Sequence, residues 1–451
     1  MTVKEDFDSI FSEENLKEIF TEYIAYSSAT GIDSMNQNAF RRQVDQQISI
    51  ISNKAISGNY KFSKYKLKLI SKGRNKAPRE ISIPTIRDRV ALKALCKFLQ
   101  DRFSDSVTFE LPQEVIKDVK SEALSGRYNG FIKLDISNFY PSIPHDKLIS
   151  KLKQQVQSQE ILDIISSAIK SPTVLTSKKD DPENSIGIPQ GLSISNILAA
   201  IYLESVDKHL SSLLNIRCYR YVDDVLILCS QAEANELSKT IISKFSELGL
   251  EVHDPITTPE KSKIDFISKG FEYLGYTFTG DKVSARAGSV DKLKSSLAGI
   301  FTSYKHSRNK SLAILEWRLN LRITGCVFEK KCKGWQFFFS EINYESLLHE
   351  LDIYVRKLTI RFGVEHTEEN NGITPKKFVR TFKEIIHRKH QTSYIPNFDN
   401  YTIQDMSTTL SSYFEFDIAR MTEEDISYYF HKKIGAQVRD LEVDVKDFGY
   451  Q

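Results

Sequence analysis

The 451-residue sequence predicts an α+β fold in which a sheet carries helices on one face, with helices before it and a mainly helical carboxy-terminal part after it. Three observations predict it. Between residues 130 and 286 the pattern runs strand, helix, helix, helix, hairpin, helix, strand. Residues 4–57 place apolar side chains such as Ile10, Phe11, Leu16, Ile19, Phe20 and Tyr23 at three- and four-residue spacing. Beyond Gly288 helical spacing dominates, with no internal repeat or low-complexity tract.

Taken in order, the amino-terminal helices stop at a Gly58-Asn59 turn. The period then becomes that of strands, in 65–70 and 79–83, joined by the link Lys72-Gly73-Arg74-Asn75-Lys76. The result is a basic two-stranded ribbon with a basic tip. Pro84 ends its second strand, and 87–103 resumes a helical period. A short apolar strand, 130–135, leads to helices at 145–152 and 159–168 and a polar loop at 177–184. The turn Gly187-Ile188-Pro189-Gln190-Gly191 opens a long apolar helix near Leu192. A hairpin sets 217–221 against 225–228, with Val222-Asp223-Asp224 in its turn, and a helix at 232–248 and strand-rich residues 262–286 complete the block.

At 40% hydrophobic and 27% charged, the composition is that of an ordinary folded protein and excludes large-scale disorder. Apolar runs such as 225–228 fall far short of the ~18–20 residues that cross a bilayer. The amino end opens on charge rather than an apolar signal core, so a cytoplasmic protein without a membrane partner is expected. Cys96, Cys218, Cys229, Cys326 and Cys332 are scattered with no CxxC pair, which points to reduced thiols filling the core and away from zinc. The net charge of +3 is small, but basic residues concentrate at 61–89 and 292–333 and acidic ones at the carboxyl end. Such runs suit solvated faces or a nucleic-acid contact.

Three carboxylates carry the chemistry. Asp135 ends an apolar strand, and Asp223 and Asp224 sit between apolar strands, where unpaired negative charge is costly. Divalent cations remove that cost, and hard carboxylate oxygens suit magnesium. Two such ions roughly 3.5–4 Å apart can activate a 3′-hydroxyl and neutralise departing pyrophosphate.

The segment 135–140, Pro189-Gln190-Gly191 and Tyr221-Val222-Asp223-Asp224, in this order, resemble the palm motifs of reverse transcriptases. The likeness spans roughly residues 28–340. Gly31-Ile32-Asp33, Gly58-Asn59-Tyr60 and 79–89 resemble the amino-terminal and fingers segments of bacterial enzymes related to group II intron reverse transcriptases. The segment 259–263 resembles the stretch just after the palm hairpin. Where intron enzymes have Ser-Pro, this chain reads Leu192-Ser193-Ile194-Ser195-Asn196-Ile197-Leu198-Ala199, a variant that resembles abortive-infection and defence-associated reverse transcriptases. No cysteine-rich endonuclease stretch and no second acidic cluster of RNase H type is seen.

The resemblance implies a right-hand polymerase: amino-terminal helices and fingers over 1–125 with part of 141–185, a palm of antiparallel sheet backed by helices over 126–285, an α-helical thumb over 286–365, and a helical extension over 366–451. That extension could close the thumb, bind structured RNA or form a subunit contact. By the same resemblance Asp135 and Asp223, with the Ile136 carbonyl, would ligate two Mg²⁺ ions, for which Mn²⁺ can substitute, and Asp224 would be a weaker ligand. Arg79 and Lys72 or Lys76 would grip the triphosphate of a dNTP, and Gln190 would brace it. Tyr140 would meet the sugar's 2′ edge and favour deoxynucleotides, unless it or Phe139 is a core aromatic. Lys261 is a proton donor to pyrophosphate or an ordinary surface lysine. Phe271, Tyr273, Leu274 and Gly275 would form a primer grip. The aromatics Trp317, Trp335, Phe337, Phe338 and Phe339 would line a nucleic-acid path or pack helices. The implied activity is RNA-directed DNA polymerase, with an RNA template, a DNA product or primer, and antiphage defence as its setting; homo-oligomers or a second protein are not legible. Untemplated or protein-primed synthesis, and an RNA-binding maturase-like scaffold with a relic site, are the alternatives.

Overall fold

The basic ribbon forms as its spacing predicts. Tyr65–Ile70 (β1) and Arg79–Ile83 (β2) pair antiparallel, with Lys66 opposite Ile83 and Ile70 opposite Arg79, in this computed structural model. The structure describes residues 2–27, 29–71, 77–107, 110–368, 371–388 and 391–445. They divide into two compact units, residues 1–109 with 130–265, and residues 110–129 with 266–451.

In the first unit the central sheet is built from Gly130–Asp135 (β3), Arg217–Tyr221 (β5), Asp224–Cys229 (β6) and Lys263–Phe266 (β7), in the order β5-β6-β3-β7. Thr173–Val174 (β4) instead adds a parallel edge to β1. The middle strands β3 and β6 run antiparallel from Gly130 opposite Cys229 to Asp135 opposite Asp224. Ile132, Leu134, Val225, Ile227 and Cys229 are fully buried, because helices Ser195–Ser212 and Ala234–Glu247 pack against β5 and β3. The first of these helices was expected to start near Leu192, but it begins at Ser195. The Ser195 N–H closes a turn on the Leu192 carbonyl at 3.1 Å and its hydroxyl donates to the Pro189 carbonyl at 2.7 Å, so 192–194 stay in the turn.

The amino-terminal helices Val3–Ile10, Glu13–Ile19 and Val44–Ile56 pack on Ile86–Arg102. Asp88, 1% exposed, ties this layer to the ribbon. Its carboxylate accepts from the Tyr60 hydroxyl at 2.8 Å, the Thr85 hydroxyl at 2.8 Å and the Ser63 N–H at 3.1 Å. Burial still holds its carboxyl above the usual aspartate range, against the pull of those donors.

The second unit contains a meander of Phe271–Tyr273 (β8), Tyr276–Thr279 (β9) and Lys282–Ala285 (β10), then long helices that include Ala287–His306, Leu312–Thr324, Ser346–Arg361 and Glu423–Glu442. The expected helical run is interrupted by the hairpin of Cys326–Phe328 (β11) and Lys331–Lys333 (β12), whose three-residue strands are too short to show a period. Trp335, Phe337, Phe338 and Phe339 are buried and pack helices, while Trp317 stacks on Tyr413 with centroids 4.9 Å apart. The terminal helix is pinned by Asp444, 1% exposed, which accepts from Arg322 Nη1 at 2.6 Å and the Ser296 hydroxyl at 2.6 Å. None of the five cysteines forms a disulfide. Among the described residues no helix is long and apolar enough to cross a membrane.

Candidate active site

Strand register brings the three aspartates to one end of the central sheet. Asp135 ends β3 directly opposite Asp224, the first residue of β6. Directly opposed side chains share a face of the sheet with Cβ atoms roughly 4.5–5.5 Å apart. Tyr221 pairs with Asp224 on the other side, so Val222 and Asp223 alone make the hairpin turn. A two-residue turn of this kind needs positive φ at its first position, which usually selects glycine or asparagine. Here Val222 holds φ +57°, a strained conformation for a β-branched side chain costing on the order of 1–3 kcal/mol.

The strand end carrying Asp135 is fixed by its neighbours. Its N–H donates to the buried Ser262 hydroxyl at 3.0 Å, and its carbonyl accepts from the His253 N–H at 3.0 Å. Ile136 continues the strand as a bridge to Val252. Around the Asp135 carboxylate, Lys261 Nζ and His253 Nε2 each lie 3.6 Å from Oδ2. The carboxylates are hard oxygen donors of the kind magnesium takes. Among the described residues no three His, Cys, Asp or Glu side chains already close into a cage. Lys261 instead offsets the charge of Asp135, with the His253 ring beside it, and a cation arriving at that carboxylate would take over the part of Lys261.

Behind Asp135 the chain turns sharply at Asn138, φ +45°, and enters the short helix Phe139–Ser142. Phe139 points into the core, whereas Tyr140 is half-buried and donates its hydroxyl to Asn196 Oδ1 at 2.5 Å. Burial raises the Tyr140 phenol well above its usual range; the Asp223 carboxylate adds to this, and the Arg79 and Arg220 guanidiniums oppose it. Asp223 and Arg79 therefore each lie within electrostatic reach of Tyr140.

The glycine-rich turn is laced to both neighbours. The Ile188 N–H donates to the Tyr140 carbonyl at 2.8 Å, and the Gly187 N–H to the Ile143 carbonyl at 2.9 Å. Buried His145 closes the same seam through Nε2, 2.7 Å from the Gly187 carbonyl. On the other side the Gln190 carbonyl accepts from the Ser82 N–H of β2 at 2.8 Å. Gly191 has φ +97°, and a Cβ there would stand 2.8 Å from Ile81 Cγ2, so only glycine lets the turn lie on β2. The turn thus ties the strand bearing Arg79 to the segment bearing Tyr140. A cavity of about 390 Å³ lined by Tyr23, Ile81, Pro84, Leu92, Gly191 and Ser193 contains none of the three aspartates.

Other expected residues stand elsewhere. Lys72 and Lys76 lie outside the described residues. Lys261 is exposed except for its approach to Asp135. Phe271, Tyr273, Leu274 and Gly275 fall in the second unit, where Leu274 and Gly275 form the β8–β9 turn with φ +44° and +81°. The Phe271, Tyr273 and Leu274 side chains are buried, Phe271 stacked on Phe278 at 4.5 Å, so a primer contact there would use backbone. Sequence reasoning passed over His145, Asn196, Asp207, Arg220, His253 and Ser262, which act through neighbours rather than through a motif.

Residues 70–278 match the family model described as reverse transcriptase (RNA-dependent DNA polymerase). They are a reverse transcriptase domain. The group II intron-encoded protein LtrA of Lactococcus lactis is 25% identical over 224 residues, covering 44% of this chain and 36% of that protein. The likeness is to the group II intron-like type of reverse transcriptase. Protein YkfC of Escherichia coli is 24% identical over 191 residues, 40% of this chain and 49% of its own length. A putative COX1/OXI3 intron 2 protein of Saccharomyces cerevisiae is 33% identical over 85 residues, 19% of this chain and 10% of that protein. The chain thus spans half or less of the length of these relatives. Among solved structures, apo telomerase from Candida tropicalis aligns with a TM-score of 0.44 and 13% identity, over 93% of this chain and 74% of that one.

Proposed function

We propose that the protein is an RNA-directed DNA polymerase that adds deoxynucleotides to a 3′-hydroxyl on an RNA template. One observation carries the reading: Asp135 stands in register with Asp224 beside the turn that presents Asp223, and Asp223 and Arg79 each lie within electrostatic reach of Tyr140. In this reading β1 and β2 belong to the fingers, β3 and β5–β7 to the palm, and the helices after Ala285 to the thumb and extension. Two magnesium ions on Asp135, Asp223 and Asp224, with the Ile136 carbonyl, would supply nucleophile activation and neutralise the leaving pyrophosphate.

The chain's own residues do the positioning. Arg79, with Lys72 or Lys76, pairs with the triphosphate through charge-assisted hydrogen bonds. Gln190, its turn fixed on β2, braces the base and sugar. Tyr140, held by Asn196, fills the space that a 2′-hydroxyl would need, which selects deoxynucleotides. Lys261 is placed to return a proton to pyrophosphate. The stretch Leu192–Ala199 departs from the Ser-Pro that intron enzymes have before the apolar helix, a variant that resembles defence-associated enzymes. On that departure rests the finer reading, copying of a dedicated noncoding RNA in antiphage defence.

The test is primer extension by the full chain on poly(rA) with an oligo(dT) primer and dTTP. Asp223→Ala is expected to abolish incorporation while leaving the circular-dichroism melt and RNA binding in place. Incorporation retained by the folded variant removes the central claim.

A further inference from the structure

The Val222 turn presents Asp223 in a conformation its own sequence resists, so something must hold it. The holder is visible one residue upstream of the Tyr221 motif. Arg220, on β5, donates Nη1 to the Val222 carbonyl at 2.9 Å. Its other two nitrogens fork onto one carboxylate: Nε to Asp207 Oδ1 at 2.7 Å and Nη2 to Asp207 Oδ2 at 2.5 Å. The Arg220 side chain is only 13% exposed and that of Asp207 35%. Asp207 belongs to the helix Ser195–Ser212, which starts at the glycine-rich turn.

We infer that Asp207 and Arg220 form a clamp that fixes the Val222 carbonyl, and with it the direction in which the strained turn aims Asp223. Arg220 is thus a positioning residue: it touches the turn's backbone, and Asp207 sets its plane. The inference rests on the polymerase reading for its functional consequence but not for its geometry. A guanidinium suits the task, because its planar fork serves the carboxylate bidentately and leaves a further N–H for the carbonyl. A lysine ammonium lacks that fixed plane. The clamp also links two parts of the site. The helix that carries Asp207 carries Asn196 at its start, so the turn bearing Asp223 and the hydroxyl of Tyr140 are held from one rigid element.

The experiment compares Arg220→Lys, Asp207→Asn, the double variant, and Arg220→Lys with Val222→Gly, all in the full chain. Steady-state dTTP incorporation on poly(rA)/oligo(dT) is read alongside amide hydrogen exchange. Each single variant is expected to lower kcat about 10- to 100-fold, with KM for dTTP within about threefold, because small misplacement of a catalytic group is felt in the chemical step. The double variant is expected to match the worse single, since the two residues act as one unit. Glycine accepts positive φ without strain, so Val222→Gly is expected to restore about two- to fivefold to Arg220→Lys. Exchange at amides 222–225 should quicken by about tenfold or more in Arg220→Lys, while 226–229 stay protected. Wild-type kcat and wild-type exchange in Arg220→Lys overturn the clamp, as do multiplicative losses in the double variant. A wild-type chain that incorporates no dTTP, with the exchange difference present, sinks the polymerase reading and supports the clamp.

Discussion

Gly191→Ala tests whether the glycine-rich turn must lie on β2 for the site to exist. Two terms act. At φ +97° an alanine occupies backbone space that side chains rarely adopt, a strain on the order of 1–3 kcal/mol. The new Cβ would also stand 2.8 Å from Ile81 Cγ2 and 3.2 Å from the Ser82 carbonyl, well inside the roughly 3.5–4.0 Å of favourable carbon contact. Overpacking of this kind adds about 1–3 kcal/mol when the neighbour cannot yield. Ile81 is pinned in a β2 strand paired along its length with β1, so part of this term persists and a total of about 2–4 kcal/mol is expected. The readout must be local. Trp317 and Trp335 both lie in the second unit, so tryptophan fluorescence says little about this turn. Amide exchange over 187–198 and 80–84 is the suitable assay, with protection falling by a factor of roughly 30 to 1,000 and KM for dTTP rising. Adding Ile81→Ala removes the Cγ2 contact but not the backbone strain, so it should recover part of the loss. Wild-type protection and KM in Gly191→Ala would refute the reasoning, and full recovery with Ile81→Ala would refute the strain term.

In the proposed role Tyr140 borders the sugar, so with Tyr140→Ala misincorporation of UTP relative to dTTP is expected to rise at least tenfold, whereas Tyr140→Phe keeps the ring and most of the discrimination; equal selectivity in the alanine variant counts against the proposed role. Asp88 has a folded carboxyl raised by burial, so the folded state binds the extra proton and stability falls as pH rises from about 4 toward that raised value. Asp88→Asn removes this slope, and the stability of wild type minus variant, read by circular-dichroism melts, should become more negative across that window; a flat difference contradicts it. Asp444→Ala leaves Arg322 half-buried without its carboxylate and should cost about 3–5 kcal/mol by tryptophan-monitored denaturation, while Asp444→Leu with Arg322→Met should cost less.

Much of the fold was legible because its signals are local. The short apolar strand Gly130–Asp135, the hairpin strands on either side of Val222-Asp223 and the ribbon strands 65–70 and 79–83 are written in neighbouring residues and form where they are predicted, except that Asp224 pairs with Tyr221 as the first residue of β6 instead of standing in the turn. The less legible parts depend on partners remote in sequence. The long apolar helix starts three residues late because the Pro189 carbonyl claims the Ser195 hydroxyl. β11 and β12 escape notice since three-residue strands carry no period, and they persist because Cys326 and Phe328 pack among Phe398, Leu410, Phe430 and Ile434. Trp335 and Phe337–Phe339, open to two readings as sequence, pack as core once the helices around them are in place.

The site divides along the same line, and the division says which residues selection by motif can find. Asp135, Asp223 and Asp224 stand out because a carboxylate at the end of an apolar strand violates local expectation. Asp207 and Arg220 violate nothing: an aspartate on a helix and an arginine on a strand are ordinary wherever they occur. Their function exists only through the 13-residue separation that folds Asp207 onto Arg220, and Arg220 onto the carbonyl of Val222. Yet Val222 itself, a β-branched residue in a two-residue hairpin, is a local contradiction that the sequence does display. A turn that resists its own geometry requires an external hold, and the place to look is the first charged side chain on the flanking strand. By that reasoning the strain at Val222 and the clamp at Arg220 are one feature, and neither residue can be interpreted without the other.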